Sequence, residues 1–177
     1  MNKIGFFGGC FNPPTNIHIK IANNLIEQGK LDKIVFVPVN DYYQKEDLAE
    51  AKHRYNMLCL ATKNHTNLEV DDILIKENRK LFAVDAFEIV GDSPHATFCR
   101  KRDISMIMGS DNYNKMSDWK DYDKIKDKYN YIIIDRNENE ISSTQIRSMI
   151  KNNDTDVVNY LPKEVYNYIV ENNLYKL

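Results

Sequence analysis

Short apolar runs and amphipathic stretches alternate about five times along this chain of 177 residues. The apolar runs have the composition of strands buried on both faces, and the stretches between them carry apolar residues at helical spacing. Strands separated by helices pair in parallel through crossover connections, so the pattern predicts a parallel sheet covered by helices on both faces. No repeat or linker interrupts it, and we expect a single domain over residues 1–177.

The predicted fold class is therefore α/β, with a doubly wound parallel sheet and a helical C-terminal tail. The predicted strands cover residues 4–7, 33–38, 68–75, 104–108 and 131–134. The predicted helices cover residues 15–27, 46–63, 84–90, 118–128, 143–151 and 163–172. Residues 92–103 have no regular pattern, and we expect an irregular connection there.

Charge and composition exclude several classes of function. Lys and Arg number 24 and Asp and Glu 26, a balance that argues against a protein that coats nucleic acid or an anionic membrane. The three cysteines are widely spaced, with no CxxC pair or Cys/His cluster, so neither a disulfide framework nor a zinc site is indicated. No apolar run is long enough to span a membrane, and the N-terminal residues do not resemble a secretory signal. We expect a cytoplasmic protein.

The loop after the first predicted strand is the first place to look for a site, because parallel sheets bind ligands beyond the carboxyl ends of their strands. It contains neither GxGxxG nor a P-loop. Gly8 and Gly9 allow a ligand to approach the backbone, and Thr15 can cap the next helix, with His18 one turn further on. A hydroxyl, an imidazole and free amides at a helix N-terminus predict a phosphate site. The alternative is a simple cap and a surface histidine, which is the commoner case for either residue alone.

A second motif, ISSTQIR, opens the helix that follows the last predicted strand. Ser or Thr at a helix start leaves amides available to an anion, and Arg147 lies in the first turn, where its side chain points back toward that end. The alternative is an ordinary N-cap and a solvated arginine. Arg136 directly follows the last predicted strand and is either a nucleotide contact or a surface arginine.

Together the two motifs resemble those of the nucleotidylyltransferase superfamily, and within it the nicotinamide/nicotinate mononucleotide adenylyltransferases. The resemblance extends over GGCFNPPTNIHIK, VPVNDYYQKEDLAEAKHRYNMLCLATKN, EVDD, MGSDN, ISSTQIR and YLPKEVYNYIVENNLY. It implies a Rossmann-like fold and an enzyme of NAD biosynthesis, which joins a pyridine mononucleotide to the AMP moiety of ATP and releases pyrophosphate. It also places Arg54 close to the nucleotide loop, where the residue could equally be a structural ion-pair partner.

The resemblance implies three catalytic residues, His18, Lys45 and Arg147, with His18 on the α-phosphate of ATP. We expect the ATP contacts to come from Gly8, Gly9, Thr15, His18, Gly109, Asp111, Arg136, Ser142, Ser143, Thr144 and Arg147. The implied contacts to the pyridine mononucleotide come from Gly9, Cys10, Phe11, Tyr43, Lys45 and Trp119, with the Trp119 indole stacked on the pyridine ring.

Such a reaction needs no general base, because a phosphate is already ionised near pH 7. Catalysis would come from aligning two anions and neutralising the charge that develops on them. Mg²⁺ is the expected cofactor, bridging phosphate oxygens with few protein ligands and no dedicated metal site on the chain. The expected partners are ATP and a pyridine mononucleotide, with no nucleic acid and no membrane, and self-assembly into a homo-oligomer is left open. Two other readings also stay open: a different transferase of the superfamily, such as a pantetheine-phosphate adenylyltransferase or a cytidylyltransferase, and a non-catalytic nucleotide-binding module.

Overall fold

The computed structural model describes residues 3–43, 47–96, 103–135 and 141–176. Its strands are β1 (Ile4–Gly9), β2 (Lys33–Pro38), β3 (Leu68–Val70), β4 (Ile104–Gly109) and β5 (Asn130–Ile134). They form one parallel sheet in the order β3-β2-β1-β4-β5. The chain first builds outward from β1 to β3 and then restarts on the other side of β1, which confirms the doubly wound, Rossmann-like sheet.

The helices connect the strands and form the C-terminal tail. They are α1 (Asn16–Glu27), α2 (Ala51–Thr62), α3 (Ala83–Gly91), the single turn α4 (Ser110–Tyr113), α5 (Ser143–Lys151) and α6 (Lys163–Glu171). Short 3₁₀ turns occupy Met116–Asp118, Tyr122–Lys124 and Thr155–Asn159. None of the helices in the described ranges is long and apolar enough to cross a bilayer.

Two hydrophobic cores, one on each face of the sheet, hold these elements together. Neighbouring strand residues point to opposite faces, so Phe6 packs in the core beneath α3, whereas Phe7 packs in the core beneath α1, α2, α5 and α6. In β2, Val35 and Phe36 divide between the two cores in the same way, and neither is exposed. Helices therefore cover both faces, as the continuous apolar strands predict.

Three predicted elements differ from the structure. The third strand ends at Val70, because the Asp71 carboxylate accepts the Ile73 amide at 2.9 Å and turns the chain. The helix predicted from residue 46 begins only at Ala51, and Asp47 has a positive φ of 55°. The stretch predicted as a helix over residues 118–128 consists of short turns instead. Residues 97–102 of the irregular connection predicted at 92–103 lie outside the described residues.

Candidate active site

The sheet splits at its carboxyl edge between β1 and β4. The register between these strands runs from Ile4–Ile104 to Phe7–Ile107, although both strands continue for two further residues. Beyond the split, β1 pairs only with β2 and β4 only with β5. The strand order reverses at this point, so the crevice is where an open α/β sheet binds its ligand.

Gly8 and Gly109 lie on either side of this crevice. A Cβ on Gly8 would meet nothing within 4 Å, and a Cβ on Gly109 would meet only the Ile134 carbonyl, at 3.9 Å. Neither residue has the positive φ that would by itself require glycine. Since neither packing nor conformation demands a glycine here, both positions leave space for a ligand against the backbone. Gly9 differs, because a Cβ there would meet the ring of Phe11 at 3.1 Å.

His18 lies in the first turn of α1 with its ring held in one orientation. The Thr15 amide donates to Nδ1 of His18 at 3.0 Å, and the Thr15 hydroxyl lies 2.8 Å from the same nitrogen. Nδ1 is therefore an acceptor, which assigns the proton of the neutral ring to Nε2. The rings of Phe7 and Phe11 pack against the imidazole at 6.0 and 5.2 Å between centroids. Thr15 itself is only 2% exposed, so its hydroxyl positions His18.

The start of α1 is less open than the sequence predicts. Its first amide, that of Asn16, donates to the Tyr160 carbonyl at 3.0 Å. The His18 amide turns back to the Thr15 carbonyl at 3.1 Å. Two of the backbone amides at this helix start are therefore already bonded within the protein.

The N-terminus of α5 is bonded directly to the loop between β1 and α1, residues 8–14, which we call the site loop. Ser142 caps the helix through the Gln145 amide at 3.2 Å, and the Ser143 hydroxyl donates to the Pro13 carbonyl at 3.0 Å. Thr144 is exposed in the same turn. The structure thus brings together the two motifs that are about 130 residues apart in the sequence.

Arg147 reaches from α5 into the interior beneath the site loop. It is 6% exposed, and its Nη1 donates to the Asn12 carbonyl at 3.0 Å. Its Nε is buried and has no hydrogen-bond partner among the described residues. An unpaired buried N–H of a charged group is costly.

Arg54 holds the other side of the site loop. This fully buried side chain donates to the Cys10 carbonyl at 3.1 Å, the Ala49 carbonyl at 2.7 Å and the Asp41 carboxylate at 3.3 Å. Burial lowers the pKa of Arg54 below its ordinary value, and the bond to Asp41 opposes that shift. Both sequence-based interpretations of Arg54 hold, since it is an ion-pair partner and lies against the loop.

The residues expected around the pyridine ring come from different elements of the fold. Tyr43 follows β2 and is about half exposed. Its pKa is raised, mainly because the side chain is partly buried and to a smaller extent because of its electrostatic interaction with Cys10. Phe11 is buried, so only its backbone can line a pocket. Trp119 is partly buried and packs edge-on against Phe87 at 5.9 Å, on the face covered by α3. Asp111 is exposed on α4, two residues after Gly109.

Lys45 and Arg136 lie outside the described residues. Within the described ranges, no group of three or more His, Cys, Asp or Glu side chains is placed to hold a metal ion.

Sequence reasoning missed Asn12, which is only 2% exposed. Its Nδ2 donates to the Asp47 carbonyl at 2.8 Å, and its Oδ1 accepts the Ala49 amide at 3.1 Å. The only hint in the sequence is its position before Pro13 and Pro14, which marks a loop and not a hydrogen-bonding centre.

Comparisons with known proteins agree with this arrangement. The cytidylyltransferase-like family model matches residues 6–149. Probable nicotinate-nucleotide adenylyltransferases from Acholeplasma laidlawii and Flavobacterium johnsoniae are 30% and 32% identical, over 96% and 98% of this chain and 96% and 99% of their own. The solved Plasmodium falciparum nicotinic acid mononucleotide adenylyltransferase complexed with NaAD superposes with a TM-score of 0.73 at 18% identity, covering 99% of this chain and 98% of its own. The chain belongs to the cytidylyltransferase-like family and, within it, to the nicotinate-nucleotide adenylyltransferases, which are nucleotidyltransferases.

Proposed function

We propose that this protein transfers the adenylyl group of ATP to a pyridine mononucleotide, with nicotinate mononucleotide as the preferred acceptor, and releases pyrophosphate. The product is deamido-NAD, or NAD when the acceptor is nicotinamide mononucleotide. One observation carries the proposal: at the split between β1 and β4, a single loop joins an oriented histidine to a helix N-terminus with a buried arginine. The relatives that match over almost their whole length are named as probable nicotinate-nucleotide adenylyltransferases, which gives the same activity and a nicotinate nucleotide as the acceptor.

The reaction is an in-line displacement at the α-phosphorus of ATP. A 5′-phosphate oxygen of the mononucleotide forms the new P–O bond, and the bond from the α-phosphorus to the oxygen that bridges to the β-phosphorus breaks. Pyrophosphate leaves with that electron pair. The attacking phosphate is already ionised near pH 7, so the site must align two anions and stabilise developing charge instead of removing a proton.

The described residues supply that stabilisation from two directions. His18 donates from Nε2 to an α-phosphoryl oxygen, because Thr15 fixes the tautomer that leaves the proton there. In this proposal Arg147 and the N-terminus of α5 contact the β- and γ-phosphates and then the leaving pyrophosphate, and the Nε of Arg147, which has no partner among the described residues, supports that role. We assign Lys45 a third positive contact on the strength of the family resemblance alone.

The remaining site residues hold the two nucleosides. Gly109 and Asp111 would bind the adenosine ribose, on the open side of β4. Cys10, Tyr43 and Trp119 would surround the pyridine mononucleotide, with the Trp119 indole against the ring. Because the donor is ATP, we place the reaction in the cytoplasm.

Mg²⁺ enters as part of the nucleotide substrate in this proposal. The described residues offer no cluster of ligands for it, whereas the triphosphate oxygens are hard ligands of the kind Mg²⁺ prefers. In that position the ion neutralises part of the phosphate charge, while the protein contributes His18 and Arg147.

The test is pyrophosphate release from ATP and Mg²⁺ with nicotinate mononucleotide, with nicotinamide mononucleotide, and with no acceptor. We expect release that depends on the acceptor and a higher kcat/KM for nicotinate mononucleotide. Release with pantetheine phosphate and with neither pyridine nucleotide would assign the chain to another transferase of the superfamily. ATP binding without release in any arm would indicate a nucleotide-binding module.

A further inference from the structure

The C-terminal end of the chain reaches the site loop. The Tyr175 hydroxyl donates to Oδ1 of Asn12 at 2.8 Å, across 163 residues of sequence. To reach it, the chain turns back after α6, and both Asn173 and Tyr175 adopt left-handed conformations with φ of 51° and 64°. Such conformations are disfavoured for residues other than glycine, so the contacts of the tail must offset them.

Tyr175 lies between the two arginines that hold the site loop. Its ring is largely buried, packs against the core beneath α1 and α2, and is electrostatically coupled to Arg147 and Arg54. Burial raises the pKa of Tyr175 above its ordinary value, and the phenol is protonated and able to donate at neutral pH with or without that shift. The Leu174 amide, bonded to the Ile169 carbonyl at 3.0 Å, anchors the tail on α6.

Asn12 connects this tail to the groups that would bind phosphate. Its Oδ1 accepts two hydrogen bonds, one from Tyr175 and one from the Ala49 amide, which satisfies both lone pairs. Its carbonyl accepts the bond from Arg147, and the next carbonyl, that of Pro13, accepts the Ser143 hydroxyl. The bonds to the Asn12 side chain therefore restrain the loop backbone whose carbonyls locate Arg147 and the start of α5, and loss of one of them loosens that backbone.

We propose that Tyr175 is a positioning residue for adenylyl transfer, which acts through Asn12 on the site loop and Arg147 and presupposes the reaction proposed above. Tyr175 touches neither nucleotide in this scheme. The Tyr175 hydroxyl contributes only to alignment. Its loss should therefore lower kcat more than it changes KM, because a small misplacement of a phosphate-binding group slows the chemical step more than it weakens substrate binding.

The test compares Tyr175→Phe with Tyr168→Phe. Tyr168 is a matched control, because it also lies near the C-terminus and its hydroxyl bonds two side chains of α2, His53 at 3.0 Å and Asn56 at 2.9 Å, with no bond to the site loop among the described residues. Three quantities are measured for each variant: the thermal midpoint, the separate kcat and KM values for ATP and acceptor, and hydrogen exchange of the backbone amides of residues 9–12.

We expect Tyr175→Phe to lower kcat by about tenfold or more, to change each KM by less than about threefold, and to speed exchange in the site loop. Tyr168→Phe should have a kcat within about twofold of the wild-type value and unchanged hydrogen exchange in the site loop. Its loss of thermal stability should be comparable to that of Tyr175→Phe. Equal kcat values for wild type and Tyr175→Phe with unchanged exchange, or equal falls in both variants, would overturn the assignment. If the wild type turned over neither pyridine mononucleotide, the proposed function would fail, whereas the exchange comparison would still decide whether Tyr175 holds the loop.

Discussion

Replacing Arg54 by Met removes the guanidinium that joins the site loop to α2 while keeping an unbranched side chain of similar length. The side chain is fully buried, and the change leaves the carbonyls of Cys10 and Ala49 without their charged donor. Each such bond contributes about 1.5–3 kcal/mol. The third bond, to Asp41, counts for less, because the Asp41 side chain is 58% exposed and well screened.

One effect opposes this loss. Methionine does not carry a buried charge, so part of the desolvation cost of Arg54 is relieved in the variant. We therefore expect a net destabilisation of about 2–4 kcal/mol, below the sum of the two bonds. For a domain of this size that corresponds to a fall in Tm of about 10 °C.

The assay is urea unfolding at pH 7, together with thermal unfolding. The control is Arg79→Met, since Arg79 is 54% exposed and its bridges to Glu77 and Asp85 measure 3.4 and 3.7 Å. That control should change stability by less than about 1 kcal/mol. An Arg54→Met protein as stable as the Arg79→Met protein would refute the claim that the buried guanidinium holds the loop.

Three further predictions concern the active site and the core beneath α3. His18→Ala should lower pyrophosphate release by about a hundredfold or more with little change in Tm, and a variant with more than half the wild-type rate would contradict the role of the imidazole. Gly109→Ala should raise the KM for ATP while changing unfolding free energy by less than about 0.5 kcal/mol, because the new Cβ would make only an ordinary contact, 3.9 Å from the Ile134 carbonyl; an unchanged KM would count against a nucleotide there. Gly91→Ala should destabilise the fold by about 1–3 kcal/mol in urea unfolding, because its Cβ would lie 2.7 Å from ring carbons of buried Tyr129, and wild-type stability would contradict that packing.

The parallel sheet was predictable because each strand is a short apolar run with helical spacing on either side. β2 and α5 even begin and end where the sequence predicts. The third strand was predicted too long because Asp71 turns the chain through its own side chain, a local hydrogen bond that hydrophobic periodicity does not register. The late start of α2 has a tertiary cause: the Ala49 amide bonds Asn12 instead of a helical carbonyl.

The two site motifs were visible in the sequence because capping residues, glycines and His18 have recognisable spacings. Of the residues that hold those motifs together, Arg54 was singled out through the family resemblance, whereas Asn12 and Tyr175 were not. The bonds of Arg54, Asn12 and Tyr175 include partners 35 to 163 residues away, and no local pattern encodes such partners. The sequence likewise could not predict that the Tyr160 carbonyl accepts a hydrogen bond from the Asn16 amide at the start of α1.

The central claim is that the α-phosphorus of ATP is transferred to a pyridine mononucleotide at the split between β1 and β4. The most direct test follows ATP labelled at the α-phosphate, with Mg²⁺ and nicotinate mononucleotide, in wild type and in His18→Ala. We predict that the label appears in deamido-NAD in a one-to-one ratio with released pyrophosphate, and that the variant shows almost none. Label that stays in ATP, or appears as free AMP, would contradict adenylyl transfer by this protein.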